Sequence, residues 1–98
     1  MEGTDMAHAL VTQVTLEGRT PEEAEKLLNE EVIPIVKGLP GFQRGTWART
    51  QDGSTGMGIV VFDSEEAATS AQQGMETMRP AGSPPITSSE VWIVTGLA

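Results

Sequence analysis

Apolar and polar residues trade places along this chain with two distinct periods, and each change of period marks a new element. From His8 to Leu16 the period is two. His8, Leu10, Thr12, Val14 and Leu16 fall on one side, and Ala9, Val11, Gln13 and Thr15 on the other. Alternation with β-branched residues at its centre predicts a strand, and apolar groups on both sides predict that neither face is left wholly to water. After a turn at Glu17-Gly18-Arg19 the period lengthens. Ala24, Leu27, Leu28, Val32, Ile35, Val36 and Leu39 recur in the pattern of a single helical stripe turned toward the interior. Thr20 is placed to cap this helix, with Pro21 in its first turn and Glu23 three residues on to complete a capping box. Pro34 lacks the amide hydrogen that would bond back to Glu30, and its ring crowds that carbonyl. A kink or break is expected there, followed by a short turn through Lys37. Gly38 and Pro40-Gly41 then stop the helix and turn the chain.

Period two returns from Phe42 to Thr50, with Phe42, Arg44, Thr46, Ala48 and Thr50 opposite Gln43, Gly45, Trp47 and Arg49. Gly45 inside that run predicts a bulge or a close approach of another group to the backbone. Asp52-Gly53 is a tight reversal, and Gly56 to Phe62 forms a third strand antiparallel to the second. Asp63-Ser64 opens a second helix whose stripe is Ala67, Ala68, Ala71, Met75 and Met78, small at its start so that it can lie close to a sheet. Arg79 to Pro85 is a loop by its prolines and glycine, and Ile86 to Thr95 is a fourth strand. The order β-α-β-β-α-β predicts an α+β, ferredoxin-like fold: a four-stranded antiparallel sheet with two helices on one face. Val11, with Ile59 or Val60 and Trp92 or Ile93, leaves apolar groups for the uncovered face. The chain is therefore expected to form a homodimer, sheet against sheet.

At 98 residues the chain is expected to be one domain, residues 7–98, behind a flexible tail at residues 1–6. Fourteen acids against six bases give a net charge of −8, which argues against nucleic acid and anionic membrane as partners. No apolar run approaches the ~20 residues of a membrane span, and the N-terminus lacks the basic start and apolar core of a signal peptide. A cytoplasmic protein is the expectation. The absence of cysteine excludes disulfides and thiolate chemistry, and a single histidine excludes a histidine-rich metal site within one chain.

Against this background an aromatic and two cations on one strand stand out. Trp47 either stacks on a flat ligand or packs at a seam of the fold. Arg44 and Arg49 point to opposite faces of their strand, so one of them can meet a planar anion on the helix side. Thr12 and Gln13 are the polar groups in the middle of the first strand, and Phe62 ends the third. His8, beside the tail, reads as a surface histidine.

Val32-Ile33-Pro34, Leu39-Pro40-Gly41-Phe42 and Gly45-Thr46-Trp47 are similar to segments of dimeric α+β-barrel proteins, most of all the antibiotic biosynthesis monooxygenase (ABM) type. Val60-Val61-Phe62-Asp63-Ser64-Glu65-Glu66-Ala67-Ala68 resembles that family's passage from third strand to second helix. The resemblance spans about residues 8–96 and implies a homodimer whose two sheets close a barrel, with a small-molecule pocket in each subunit. It implies a function among cofactor-independent monooxygenases of aromatic polyketides or haem-degrading oxygenases. The haem-degrading members use a helical histidine, a tryptophan ending the third strand and an asparagine on the first. Here no histidine lies between Asp63 and Pro80, Phe62 stands at the strand end, and Thr12 and Gln13 are the nearest polar residues. No tyrosine is present for those oxygenases that use one. No cofactor is therefore expected, and Trp47, Arg44, Arg49, Gln13, Thr12 and Phe62 are the candidate substrate-binding residues. The alternative is a non-catalytic dimer that binds a ligand or serves as a structural module.

Overall fold

The structure, a computed structural model, describes residues 6–98, so the expected tail lies outside the described residues except for Met6. The alternating stretches form β1 (His8–Thr15), β2 (Phe42–Arg49), β3 (Thr55–Phe62) and β4 (Ile86–Ile93). All pairings are antiparallel, in the order β2-β3-β1-β4. The helical stretches are α1 (Pro21–Leu27), a π-helical turn (Leu28–Val32), α2 (Ile33–Lys37) and α3 (Glu65–Met78). β3 lies between the two strands of the first βαβ unit and β1 between those of the second. This is the ferredoxin-like α+β fold that the element order predicts.

The starts of α1 and α3 are fixed by side-chain caps. At α1 the capping box is complete: Glu23 N–H donates to Thr20 Oγ1 (3.1 Å) and Thr20 N–H to Glu23 Oε1 (3.1 Å). The Thr20 N–H, and after it the Thr20 hydroxyl (3.1 Å), donate to the Glu23 carboxyl and hold it below its usual range. At α3, Ala67 N–H donates to Ser64 Oγ (3.1 Å). Gly41, at φ +82°, turns the chain into β2, and a Cβ there would stand 2.6 Å from Asp63 Oδ1 and 2.8 Å from Ala67 Cβ. Only glycine meets both demands.

Pro34 does not break the helix, which runs on to Lys37. The helix widens into the π-helical turn just before it, where the Ile33 N–H reaches back five residues to the Leu28 carbonyl. Widening the ladder accommodates a residue with no N–H and relieves the crowding of the carbonyl behind it. One consequence departs from the predicted stripe. A π turn holds one more residue than an α turn, so everything after it is rotated by roughly a quarter of a circle. Ile33 thereby joins the inward face, and Ile35, which the plain helical count puts there, does not.

The sheet also departs from simple alternation in two places. Between Phe42 and Arg44 the β2 register shifts against Phe62 and Val61, leaving Gln43 as an extra residue. That bulge separates Phe42 and Arg44, which simple alternation puts on one side. Phe42 turns toward the core and Arg44 toward the uncovered face. Thr87 is the matching extra residue at the start of β4. Gly45 is not the bulge; it serves a close approach, described below.

The helix-side face carries the core. Leu10, Val36, Val60, Phe62, Ala68 and Ala71 are buried together, with Phe62 fully enclosed. On the other face, the pleat aligns Arg44, Val61, Ala9 and Trp92 in one row across the four strands, and Thr46, Ile59, Val11 and Glu90 in the next. Ile59 and Trp92 are exposed there, at 39% and 56%. Among the described residues no helix is long and apolar enough to cross a membrane.

Candidate functional site

The two helical segments meet the sheet differently, and the difference creates a cavity. α3 lies directly on β1, β3 and β4, its Ala68 and Ala71 in the core. α1 and the π-helical turn bury no residue at all. Between them and the sheet is a space of about 1070 Å³. Leu27, Leu28, Val32 and Ile33 line its helical wall, half-buried. Thr12, Trp47, Arg49, Gly58 and Val60 line the sheet wall, and Gln72, Met75 and Glu76 of α3 close one side. A cleft of this size with mostly aliphatic walls and a few polar groups suits a small organic molecule.

Trp47 dominates the sheet wall, and its position rests on two glycines. A Cβ at Gly45 would stand 2.7 Å from Trp47 Cη2, and one at Gly58 would stand 2.8 Å from Trp47 Nε1. Gly58 is the direct cross-strand partner of Trp47, and Gly45 lies two residues before it on the same face. The six-membered part of the indole therefore lies against Gly45 and the five-membered part against Gly58. Among the described residues Trp47 Nε1–H has no hydrogen-bond acceptor.

Arg49, next on that face, donates from Nε to Glu25 Oε2 of α1 at 3.3 Å, bridging the gap between sheet and helix. Both partners are substantially exposed, so the pair is weak and open to exchange. Deeper in, Gln72 Nε2 donates to the Ser89 carbonyl (3.0 Å) and to Ser89 Oγ (3.2 Å), and Thr12 stands between Ser89 and Gly58 in the same row of the sheet. At the far end Arg79 donates to the Pro84 carbonyl and closes the proline loop on itself. Among the described residues no three histidine or carboxylate groups cluster as a metal site needs.

Four of the six candidate residues thus line one space: Trp47, Arg49, Thr12 and Phe62. Arg44 and Gln13 are on the opposite face, where Arg44 Nη1 donates to the Ala98 carbonyl at 3.4 Å. His8 Nδ1 lies 2.7 Å from the Met6 carbonyl, at the edge of the domain. Sequence reasoning overlooked Gln72, Ser89 and Gly58. A polar residue beside Ala71 on the packed helix, and a glycine opposite a tryptophan, are the signals that mark them.

No protein-family model matches the sequence, and comparison with curated proteins returns no match. Solved structures do match. SnoaB, a cofactor-independent oxygenase from Streptomyces nogalater, superimposes in a single-site variant with a TM-score of 0.71 at 21% identity, covering 93% of this chain and 95% of that one. A monooxygenase from the ActVA-Orf6 gene of Streptomyces coelicolor, in complex with Nanaomycin D, gives 0.60 at 16% identity, covering 95% and 91%. A Chloroflexus aurantiacus J-10-fl protein assigned to the antibiotic biosynthesis monooxygenases gives 0.63 at 16%, covering 94% and 96%. The chain shares the ABM-like fold of these structures.

Proposed function

We propose that this chain binds a planar, largely apolar aromatic molecule in the cavity and oxygenates it without a cofactor. The observation that carries the reading is the Trp47 indole laid along the sheet wall of a cavity of about 1070 Å³ that Leu27 and Leu28 also line. A fused aromatic ring placed there gains apolar burial on both sides and stacks on the indole. Arg49 supplies the cation for an enolate or phenolate oxygen, which replaces the exposed Glu25 as its partner. The fold it shares with SnoaB and the ActVA-Orf6 product supports an oxygenation of that kind.

The chemistry suited to such a site starts from an electron-rich substrate. An anthrone loses its acidic proton to solvent and becomes an enolate, stabilised by Arg49. The enolate passes an electron to dioxygen, and recombination and loss of water leave a quinone carbonyl. One oxygen atom enters the product, and the other leaves as water. Dithranol, a hydroxylated anthrone, is a direct probe. Oxygen uptake and quinone absorbance should rise above the spontaneous rate, and Trp47→Ala and Arg49→Ala should each depress that rise. A rate equal to the spontaneous one overturns the oxygenase. The second reading is a non-catalytic binder, favoured by the absence of any histidine or tyrosine from the cavity wall. Dithranol binding without oxygen uptake selects it.

A second copy of the chain is the proposed cover for Ile59, Val11 and Trp92 on the uncovered face. Ile59→Glu should convert a dimer to a monomer in sedimentation. A wild-type chain that sediments as a monomer removes this part of the proposal.

A further inference from the structure

We propose that Gly45 and Gly58 are specificity-determining positions: by seating the Trp47 indole flat on the sheet, they set how many fused rings the cavity admits. The inference rests on the binding reading above and extends it from the residue that touches the ligand to two that do not. Neither glycine is needed for a backbone turn. Both lie inside strands, where glycine weakens the ladder and gives no side chain to pack. Their common property is the indole above them. A methyl group at Gly45 would meet Trp47 Cη2 and Cζ3 at 2.7 and 2.8 Å, and one at Gly58 would meet Nε1 and Cδ1 at 2.8 and 2.9 Å.

Real Cβ atoms do not approach ring atoms that closely, so adding either methyl lifts the indole off the sheet. The open direction is into the cavity that Leu27 and Leu28 also line, because β2 and β3 lie behind the ring. The thickness of the space between indole and leucines is what a flat ligand needs. A tricyclic ring system uses the whole length of the indole, from the Gly45 end to the Gly58 end. A single ring uses part of it and can shift aside. The glycine pair therefore favours extended planar ligands over small ones, and alanine at either position reverses the preference.

Alizarin, with three fused rings, and para-nitrophenol, with one, are suitable probes for isothermal titration. Wild-type chain should bind alizarin more tightly. Gly58→Ala should weaken alizarin by about tenfold, the scale of an overpacked site, and change para-nitrophenol by no more than about twofold. Gly45→Ala should act in the same direction. In a Trp47→Ala background the Gly58→Ala change should have no further effect on alizarin, since there is no indole to lift. Nuclear Overhauser contacts from the indole ring to the Gly45 and Gly58 α-protons report the seat itself in wild-type chain.

Equal weakening of both probes, an unchanged alizarin affinity, or a penalty that persists without the indole overturns the inference. Absence of the indole-glycine contacts also overturns it. If the single alanine variants unfold, the double variants with Trp47→Ala decide: recovery of folding supports the seat, and continued unfolding overturns it. A wild-type chain that binds neither probe, with those contacts intact, overturns the binding reading and this inference with it. Wild-type binding with unselective variants overturns this inference alone.

Discussion

α3 and the first helical segment lie on the same face of the same sheet, yet they relate to it in opposite ways. α3 brings alanines to the contact, so its backbone settles close and Ala68 and Ala71 disappear into the core. The first segment brings leucines, valine and isoleucine, and buries nothing before Val36. Large side chains that stand off a wall leave room for something else; small ones that touch it do not. Stability is thus concentrated in the α3 half and ligand space in the α1 half. Phe62 and Val60, reaching both, join the two.

Mutations that treat the halves alike should produce unlike results. Phe62→Ala removes the largest fully enclosed side chain among the described residues and should cost about 3–5 kcal/mol in urea unfolding, whereas Leu28→Ala should cost less than about 1 kcal/mol because it faces the cavity. Equal losses would dissolve the division. Ala71→Leu should destabilise by about 1–3 kcal/mol, because α3 has no slack against the sheet. Ser64→Ala, which uncaps α3, should lower global stability by about 1 kcal/mol. Thr20→Ala, which uncaps α1, should show instead as faster amide exchange within residues 21–27 and little change in melting temperature.

The smallest expected effect is a pH dependence outside both halves, in the β2–β3 turn. There Asp52 Oδ1 accepts from the Ser54 amide (2.9 Å) and from the hydroxyls of Thr50 (2.7 Å) and Ser54 (2.8 Å). The Ser54 amide leads in lowering its pKa to about 2 from an ordinary 3.8. A carboxylate depressed in the folded state contributes fully above its unfolded pKa, and that contribution fades as pH falls from 3.8 toward 2. Asp52→Asn should flatten the melting temperature across that window, and an unchanged slope would show that the turn does not matter.

Most of the fold was legible because its signals are local. Caps at Thr20 and Ser64, period-two runs and the Asp52-Gly53 turn each declare themselves within a few residues. The bulge at Gln43 was not legible, since register is a property of two strands and not of one. For the same reason alternation assigned Trp47 and Arg49 to a common face but gave no indication of which one. That choice follows from the bulge, which turns Phe42 inward and sends Arg44 outward. The cavity itself was unreadable in a stripe of leucines, because an apolar stripe looks the same whether it meets a wall or faces a void. Gln72 and Ser89 escaped notice because they become neighbours only when α3 settles on β4.

The five-residue turn at Leu28–Val32 amounts to one inserted residue in an otherwise uniform rod. Deleting a single residue from it would let the segment close as an ordinary α-helix with α2 left in its present orientation, because the lost residue and the lost bulge cancel in the helical count. Ile33 would stay on the cavity wall and Val36 in the core. Gain or loss of that one residue would reshape the cavity wall at the turn alone, while α2, the caps, the sheet and α3 stayed as they were.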